Sequence, residues 1–299
     1  MRILVATLVA AGALASVAAG AAQAPTIVAK IKLAQYPQPC AAAGGGGAVW
    51  VSEYASPYLL KIDPRRNRVV RKTAIGFGSC GLGYGAGSLW IEDTSSNTVS
   101  RVSARTAKRV KAIPVGNQPY DAAFAYGAAW VTSNADGDLE RIDPARNRVV
   151  QKWPVPAAVG VVAAFGSVWA AGGDGVSRVD PVSGKVVATI GIDGGAGWTA
   201  ASTDAVWVTT PAHTVVRIDP QTNAVVQTVQ LTGNLGDPAV VAGRLWVPEI
   251  QRNDVAIVDP ATGAVERLRV GAGPFVVTEI GGDAWIPSWK GRDVWRVRP

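Results

Sequence analysis

The sequence predicts an all-β fold, a seven-bladed β-propeller of four-stranded antiparallel blades whose last blade is closed by an N-terminal strand. Three observations predict this fold. A Trp recurs seven times at nearly constant intervals, a turn phrase of the form Asp-Pro-x-x-Asn or Asp-Pro-x-x-Gly recurs five times, and the last repeat stops before its fourth strand.

The recurring Trp defines the repeat. It follows a small-residue turn at positions 50, 90, 130, 169, 207, 246 and 285, with spacings of 40, 40, 39, 38, 39 and 39 residues. A repeat of about forty residues holding four short strands is typical of a propeller blade. We expect each repeated Trp to pack against the neighbouring blade rather than to bind a ligand.

The third repeat shows how one blade is built. The segments "YDAAFA", "AAWVT", "LERI" and "RVVQKW" are its four predicted strands. The phrase "ERIDPARNRVV", residues 140–150, joins the third strand to the fourth. Pro sets the φ angle of a turn, Asp bonds the backbone two residues on, and Asn or Gly tolerates a left-handed exit. The phrase is therefore predicted to be a turn and not a reactive motif.

The ends of the chain predict how the ring closes. The last repeat ends at "DVWRVRP" without an outer strand, whereas "TIVAKIKLA", from Thr26 to Ala34, precedes the first repeat and belongs to none. Pairing these two segments would complete the seventh blade and remove an open sheet edge.

Residues 1–24 have the layout of a secretory signal peptide, with one Arg, an apolar run and then small residues. We therefore expect residues 25–299 to form an exported propeller, periplasmic or extracellular, with an uncleaved N-terminal anchor as the alternative. Cys40 and Cys80 each lie ten residues before a repeated Trp. In an oxidising compartment this arrangement favours a disulfide between adjacent blades, and two unrelated buried thiols are the alternative.

The repeat "GAAWVTSNADGDLERIDPARNRVVQKWPV" resembles the YVTN-type propellers of bacterial exported proteins and the propeller of streptogramin B lyases. The resemblance covers essentially all of residues 25–299. It implies a seven-bladed propeller, and the families it points to include binding proteins, a lyase and accessory factors.

The likeness to the lyases also implies candidate catalytic residues. Their blades look like "WFTE", and this chain has "WVSE", "WIED" and "WVPE", which end at Glu53, Asp93 and Glu249. The lyases resemble one another in carrying histidines with glutamates at the channel mouth, whereas this chain has a single His, His213. A lyase-like or lactonase-like enzyme using the three acids, with a divalent cation, is therefore the alternative to a binding protein.

The repeat alignment places one set of residues at the mouth of the central channel. The candidate ligand-binding residues are Tyr120, Trp198 and Phe275 near the mouth, and His213 further out on the same face. Aromatic side chains around a funnel can hold a small molecule, a peptide or a partner protein, or they can plug a narrow channel. We expect a monomeric binding or scaffold protein without a cofactor or metal.

The net charge of +7 is concentrated in the first three repeats. The candidate residues for weak contact with an anionic polymer are Arg65, Arg66, Arg68, Lys108, Arg109, Arg146 and Arg148. A solvated basic rim is the alternative. The chain has no phosphate-binding loop, no zinc-protease motif and no features of site-specific DNA recognition.

Overall fold

The structure, a computed structural model, describes residues 24–33 and 38–299. The predicted signal peptide, residues 1–24, lies outside the described residues except for Ala24. The described residues form strands, turns and loops, and none of them belongs to a helix that could cross a membrane.

Seven sheets of four antiparallel strands make up this part of the chain, and each sheet is one blade. From the channel outward, blade 1 contains β2 (Pro39–Gly45), β3 (Ala48–Glu53), β4 (Tyr58–Asp63) and β5 (Arg68–Ala74), and blade 2 contains β6 (Ser79–Gly85), β7 (Ser88–Asp93), β8 (Thr98–Ser103) and β9 (Arg109–Pro114). In the same direction, blade 3 contains β10 (Pro119–Ala125), β11 (Ala128–Ser133), β12 (Asp138–Asp143) and β13 (Arg148–Pro154), and blade 4 contains β14 (Ala158–Ala164), β15 (Ser167–Gly172), β16 (Gly175–Val179) and β17 (Val186–Gly191).

The remaining three blades follow the same order. Blade 5 contains β18 (Thr199–Ala201), β19 (Val206–Thr209), β20 (Thr214–Asp219) and β21 (Ala224–Gln230), and blade 6 contains β22 (Ala239–Val241), β23 (Arg244–Glu249), β24 (Asp254–Val258) and β25 (Val265–Arg269). Blade 7 contains β26 (Thr278–Ile280), β27 (Asp283–Ser288), β28 (Asp293–Arg298) and the N-terminal strand β1 (Thr26–Lys32). The predicted seven-bladed, four-stranded architecture is confirmed.

The N-terminal strand closes the ring. β1 pairs antiparallel with β28, from Thr26 opposite Arg298 to Lys32 opposite Asp293. Ile31 is buried in one apolar cluster with Trp285 of blade 7 and residues of blade 1. The predicted closure of the last blade is therefore confirmed, and the outer edge of β28 is covered.

The repeated Trp side chains fill the spaces between blades. All seven are at most 1% exposed. Trp50 packs in a cluster with Leu89 and Ile91 of blade 2, and Trp130 packs with Val168 of blade 4. Each indole thus buries apolar surface shared by two successive sheets, as the repeat predicts.

The Asp-Pro phrase forms the predicted turn between the third and fourth strands. Asp63 Oδ1 accepts hydrogen bonds from the backbone N–H groups of Arg65 and Arg66, at 2.9 and 3.4 Å, and Asn67 has a φ of 49°. The same pair of bonds is made by Asp143, Asp180, Asp219 and Asp259. Only a residue that tolerates the left-handed region suits the exit position.

Candidate functional site

The candidate site is a cavity of about 230 Å³ at one end of the central channel. Its lining residues are Tyr54, Cys80, Thr94, Tyr120, Trp198, Phe275 and Trp289. The residues that directly follow Cys80, Tyr120 and Trp198 in sequence line the channel itself. The cavity is therefore the mouth of the channel, and we call its five aromatic residues the aromatic wall.

The rings of the aromatic wall touch in series. The ring centroids are 5.0 Å apart between Tyr54 and Trp289, 5.8 Å between Trp289 and Phe275, 5.4 Å between Phe275 and Trp198, and 6.2 Å between Trp198 and Tyr120. Successive ring planes are inclined by 36° to 83°. Four blades thus contribute to one continuous, curved apolar surface.

Two repeat positions supply the wall. Tyr120, Trp198 and Phe275 lie at or just before the inner strand of a blade, as the repeat alignment predicts. Tyr54 and Trp289 directly follow a second strand, four residues after the repeated Trp50 and Trp285.

The sequence analysis missed Tyr54, Trp289 and Thr94 as site residues. All three occupy the position four residues after a repeated Trp, and this spacing is the signal that could have found them. The same position holds a non-aromatic residue in the other four repeats, so the pattern does not stand out in any single blade.

Cross-links between blades hold the mouth in shape. Cys40 and Cys80 form the predicted disulfide, with Cα atoms 5.0 Å apart, between the inner strands of blades 1 and 2. The backbone of Tyr54 donates to Gln38 O and accepts from Gly78 N. Thr94 Oγ1 donates to Pro119 O of blade 3 at 2.9 Å. These contacts fix the relative positions of the elements that line the cavity.

Two carboxyl groups lie in the channel below the mouth. Asp121 and Asp237 both line a cavity of about 270 Å³ there. Asp121 Oδ1 accepts from Ala122 N and Oδ2 from Val161 N, each at 2.8 Å, so its carboxylate joins the inner strands of blades 3 and 4. The backbone N–H of Asp237 donates to Phe275 O at 2.8 Å, which places this residue directly beneath the aromatic wall.

The channel raises the pKa of its acids. Burial raises the pKa of Asp121 to about 6, although its two backbone hydrogen bonds favour the ionised form. Burial and the negative charge of Asp121 raise the pKa of Asp237 well above its ordinary value. Burial likewise raises the pKa of Glu92, with a contribution from the charge of Asp121 and against weaker opposing contacts from the backbone of Glu92 and Gly81.

His213 lies away from the aromatic wall. It is exposed in the turn between β19 and β20, has a φ of 62°, and is not one of the residues that line the mouth. Its backbone carbonyl accepts hydrogen bonds from Leu231 N and Gln230 Nε2. Of the four candidate ligand-binding residues, the structure brings together Tyr120, Trp198 and Phe275.

The acids at the repeated position are buried inside their blades. Asp93 accepts hydrogen bonds from Ser79, Ser100 and Thr98. Glu53 is fully buried. Its Oε2 lies 3.4 Å from Ser56 Oγ, and its Oε1 has no hydrogen-bond partner in the described part of the chain.

Glu249 has the most partners of the three acids. Its carboxylate accepts from Arg267 Nε at 2.8 Å and from Thr232 N at 3.0 Å. Burial acts to raise its pKa, but the bonds from Arg267 and Thr232 hold the pKa below its ordinary value. Glu53, Asp93 and Glu249 line neither the mouth nor the channel below it. In residues 24–33 and 38–299, no three His, Cys, Asp or Glu side chains are grouped so as to hold a metal ion.

The candidate basic residues lie on the outer parts of blades 1 to 3. All seven are exposed, in the turns before β5, β9 and β13 or in these strands. Arg66 and Arg146 form ion pairs with the Asp of their own turn, and Arg109 Nη1 donates to Ile75 O at 2.6 Å.

Comparison with known proteins extends the fold assignment but not the function. No family model matches this chain, and no curated protein matches its sequence. Among solved structures, a chain of hydrazine synthase from Kuenenia stuttgartiensis is similar, with a TM-score of 0.76 and 16% sequence identity over 89% of this chain and 96% of that chain. At this identity the likeness shows the fold alone. The resemblance to YVTN-type and streptogramin B lyase propellers stays a prediction, and what the comparison shows is a β-propeller.

Proposed function

We propose that this protein is an exported binding protein that holds a small molecule, or one side chain of a peptide, in the aromatic wall at the channel mouth. One observation carries this proposal: five aromatic side chains from four blades meet around a single cavity. Aromatic rings that line a concave, preformed pocket are the usual means of holding a ligand on a rigid scaffold.

The exposure of the wall supports the same conclusion. Tyr54 and Tyr120 are each 37% exposed, and Trp198, Phe275 and Trp289 are half-buried. In contrast, the repeated Trp side chains are fully buried. Large rings that stay accessible in a cavity have apolar area left to bury against a ligand.

The disulfide supports export. A cross-link between adjacent blades is typical of proteins that fold in an oxidising compartment, and it agrees with the signal-like residues 1–24. The basic residues of blades 1 to 3 support a secondary role in weak contact with an anionic polymer, since all seven are exposed on the outer strands or their turns.

The lyase-like alternative receives less support from the geometry. An enzyme that uses Glu53, Asp93 and Glu249 would need their carboxyl groups to face one substrate cavity. Each carboxyl is instead buried among groups of its own blade or of the loop leading into that blade.

Ligand-observed NMR with a panel of small aromatic, aliphatic and ammonium compounds tests the proposal. We expect compounds that bind the wild-type protein to lose binding to the double variant Tyr120→Ala/Trp198→Ala. Tyr126→Ala is the matched control. Tyr126 is also an exposed aromatic residue, 44% accessible, but it follows the end of β10, whereas Tyr120 lies at the start of that strand. Compounds that bind the double variant as well as the wild type, or a panel without any bound compound, would contradict the proposal.

A further inference from the structure

We infer that the ligand is an organic cation with an alkylated ammonium group, held by the aromatic wall above the carboxyl groups of Asp121 and Asp237. This inference rests on the proposed function, because it names the ligand class for the same cavity. It combines two independent observations, the shape and chemistry of the wall and the charge placed beneath it.

The arrangement of the rings suits a rounded cation better than a flat ring. Each neighbouring pair in the wall is inclined by at least 36°, and the Trp198 and Phe275 planes are nearly perpendicular, at 83°. A flat aromatic ligand is best held between two parallel rings. A curved set of π faces instead surrounds a tetrahedral ammonium group, which is attracted to the negative face of each ring.

The small number of polar groups in the cavity also favours an alkylated ammonium ligand. Thr94 supplies one hydroxyl, which is already a donor to Pro119 O, and the other polar side-chain atoms of the lining are the hydroxyls of Tyr54 and Tyr120 and the indole nitrogens. A sugar or another ligand rich in hydroxyls needs many convergent donors and acceptors. An alkylated ammonium group needs none, because it is attracted by the rings and by nearby negative charge.

Two carboxyl groups lie beneath the wall, and Asp121 is the more readily ionised of them, because burial raises its pKa only to about 6. Asp121 directly follows Tyr120, and Asp237 bonds through its backbone to Phe275, so each acid lies just below a wall residue. Among the described residues, only burial and the charge of Asp121 act on the pKa of Asp237, and no hydrogen bond or cation opposes them. A cation at the mouth would be attracted to the ionised Asp121 and would favour ionisation of Asp237, whose pKa is otherwise raised by burial and by the charge of Asp121.

Glu92 adds a third acid to the same region. It is fully buried, no side chain that the structure describes donates a hydrogen bond to it, and a Cβ at Gly81 of the channel lining would overlap its carboxyl group. Asp121 and Asp237 thus line one end of the channel, and Glu92 is buried behind Gly81. No cationic side chain is among the residues that line the mouth or the channel. Lys290 follows Trp289 in sequence, but it is exposed and does not line the cavity.

Titration calorimetry with three probes tests the inference. The probes are choline, neohexanol, which is the neutral alcohol with carbon in place of the ammonium nitrogen, and indole as a flat neutral ring. The proteins are the wild type, Trp198→Ala, Asp237→Asn and the control Tyr126→Ala. Circular dichroism checks that each of them folds. If Trp198→Ala does not fold, Phe275→Leu replaces it.

We expect choline to bind the wild type at least about fivefold more tightly than neohexanol. Trp198→Ala should weaken choline binding by about fivefold or more, and Tyr126→Ala should leave it unchanged. Asp237→Asn should weaken the preference for choline over neohexanol, because a bound cation favours the ionised form of Asp237, whereas the amide cannot ionise and keeps the shape of the channel.

Two outcomes would overturn the ligand class and can be told apart from failure of the site. If neohexanol or indole binds as well as choline and Trp198→Ala abolishes that binding, the site stands and the cation inference is wrong. If none of the three probes binds at millimolar concentration, the cation inference is wrong as well, and the broader NMR panel then decides whether the mouth binds any ligand.

Discussion

Arg296 in the last blade donates a hydrogen bond to Asn67 Oδ1 in the first blade, at 3.2 Å, and another to Pro64 O at 2.6 Å. Its guanidinium also lies 5.3 Å from the ring centroid of Trp285 and pairs with Asp283 at 2.6 Å. Arg101 and Arg178 make the same contacts to the turn of the following blade, at Pro144 with Asn147 and at Pro220 with Asn223. The recurring phrase therefore has a second role, since the Arg of one blade binds the Asp-Pro-x-x-Asn turn of the next.

We expect Arg296→Gln to destabilise the protein, because it breaks the tie between the last and first blades. Loss of charge-assisted hydrogen bonds to half-buried acceptors predicts a decrease of about 1.5 to 3 kcal/mol in the free energy of unfolding. Urea denaturation followed by tryptophan fluorescence measures this change.

Arg217→Gln is the matched control for that experiment. Arg217 occupies the same repeat position and lies 5.9 Å from the Trp207 ring centroid, but its ion pair is with the exposed Asp204 of its own blade. Exposed ion pairs contribute up to about 1 kcal/mol, so this substitution should cost less. Equal losses in both variants would show that the contact between blades has no special weight.

The disulfide provides the next prediction. Cys40 and Cys80 close a loop with a sequence separation of 40 residues. A cross-link of this span restricts the unfolded chain and predicts that Cys40→Ala/Cys80→Ala lowers the free energy of unfolding by about 3 to 4 kcal/mol.

Denaturation of the wild type with and without a reducing agent, beside the double variant, separates the bond from the side chains. The reduced wild type should approach the stability of the double variant. A wild type whose stability ignores the reducing agent, while mass spectrometry shows both thiols free, would rule out a stabilising cross-link.

Glu53 predicts a dependence of stability on pH. Burial raises its pKa to about 8, against the opposing hydrogen bond from Ser56. Between about pH 4.5 and pH 8 the folded state therefore keeps a proton on Glu53 that the unfolded state releases. The free energy of unfolding falls as pH rises through this window, by up to about 1.4 kcal/mol per pH unit. Glu53→Gln cannot ionise, so the variant should gain stability relative to the wild type as pH rises from about 5 to 8.

Glu249→Gln is the control with the opposite sign. Because Arg267 and Thr232 hold the pKa of Glu249 below its ordinary value, its carboxylate stabilises the fold above the unfolded pKa and loses this effect only in acid. The variant should be destabilised by a similar amount throughout the neutral range. A difference between Glu53→Gln and the wild type that stays constant with pH would refute the raised pKa.

The basic residues of blade 1 give a prediction about an anionic partner. We expect the wild type to be retained on heparin in a salt-sensitive way, and Arg65→Ala/Arg66→Ala/Arg68→Ala to elute at lower salt, since fewer counterions are released on binding. A variant with the same loss of charge on other blades, Lys185→Ala/Lys290→Ala/Arg298→Ala, is the control. If the two triple variants elute together, net charge alone explains the retention.

The architecture could be predicted from the sequence because the repeat is local and periodic. Each blade has one buried Trp, and five of the seven blades have the turn phrase at a fixed position, so Trp50 and Asp63 together indicate where strands begin and end. The closure by β1 followed from counting strands, since the last repeat lacks one. These features depend on neighbours in sequence or on a periodicity that the chain repeats seven times.

The site was only partly predictable because it depends on loops whose directions the repeat does not fix. Tyr120, Trp198 and Phe275 follow from the inner-strand positions, whereas Tyr54 and Trp289 come from loops after the second strand and join them only in three dimensions. The acids show the converse. Asp93 and Glu249 share the repeat position at which the resemblance to the lyases predicts catalytic acids, yet each is bound by hydroxyls or arginines close to its own strand.

A crystal structure of the protein grown with choline tests the central claim most directly. The account predicts density for the ammonium group bounded by Trp198, Phe275 and Trp289, with the carboxyl groups of Asp121 and Asp237 below it. Density for choline at any other place, with the mouth occupied by water alone, would contradict it.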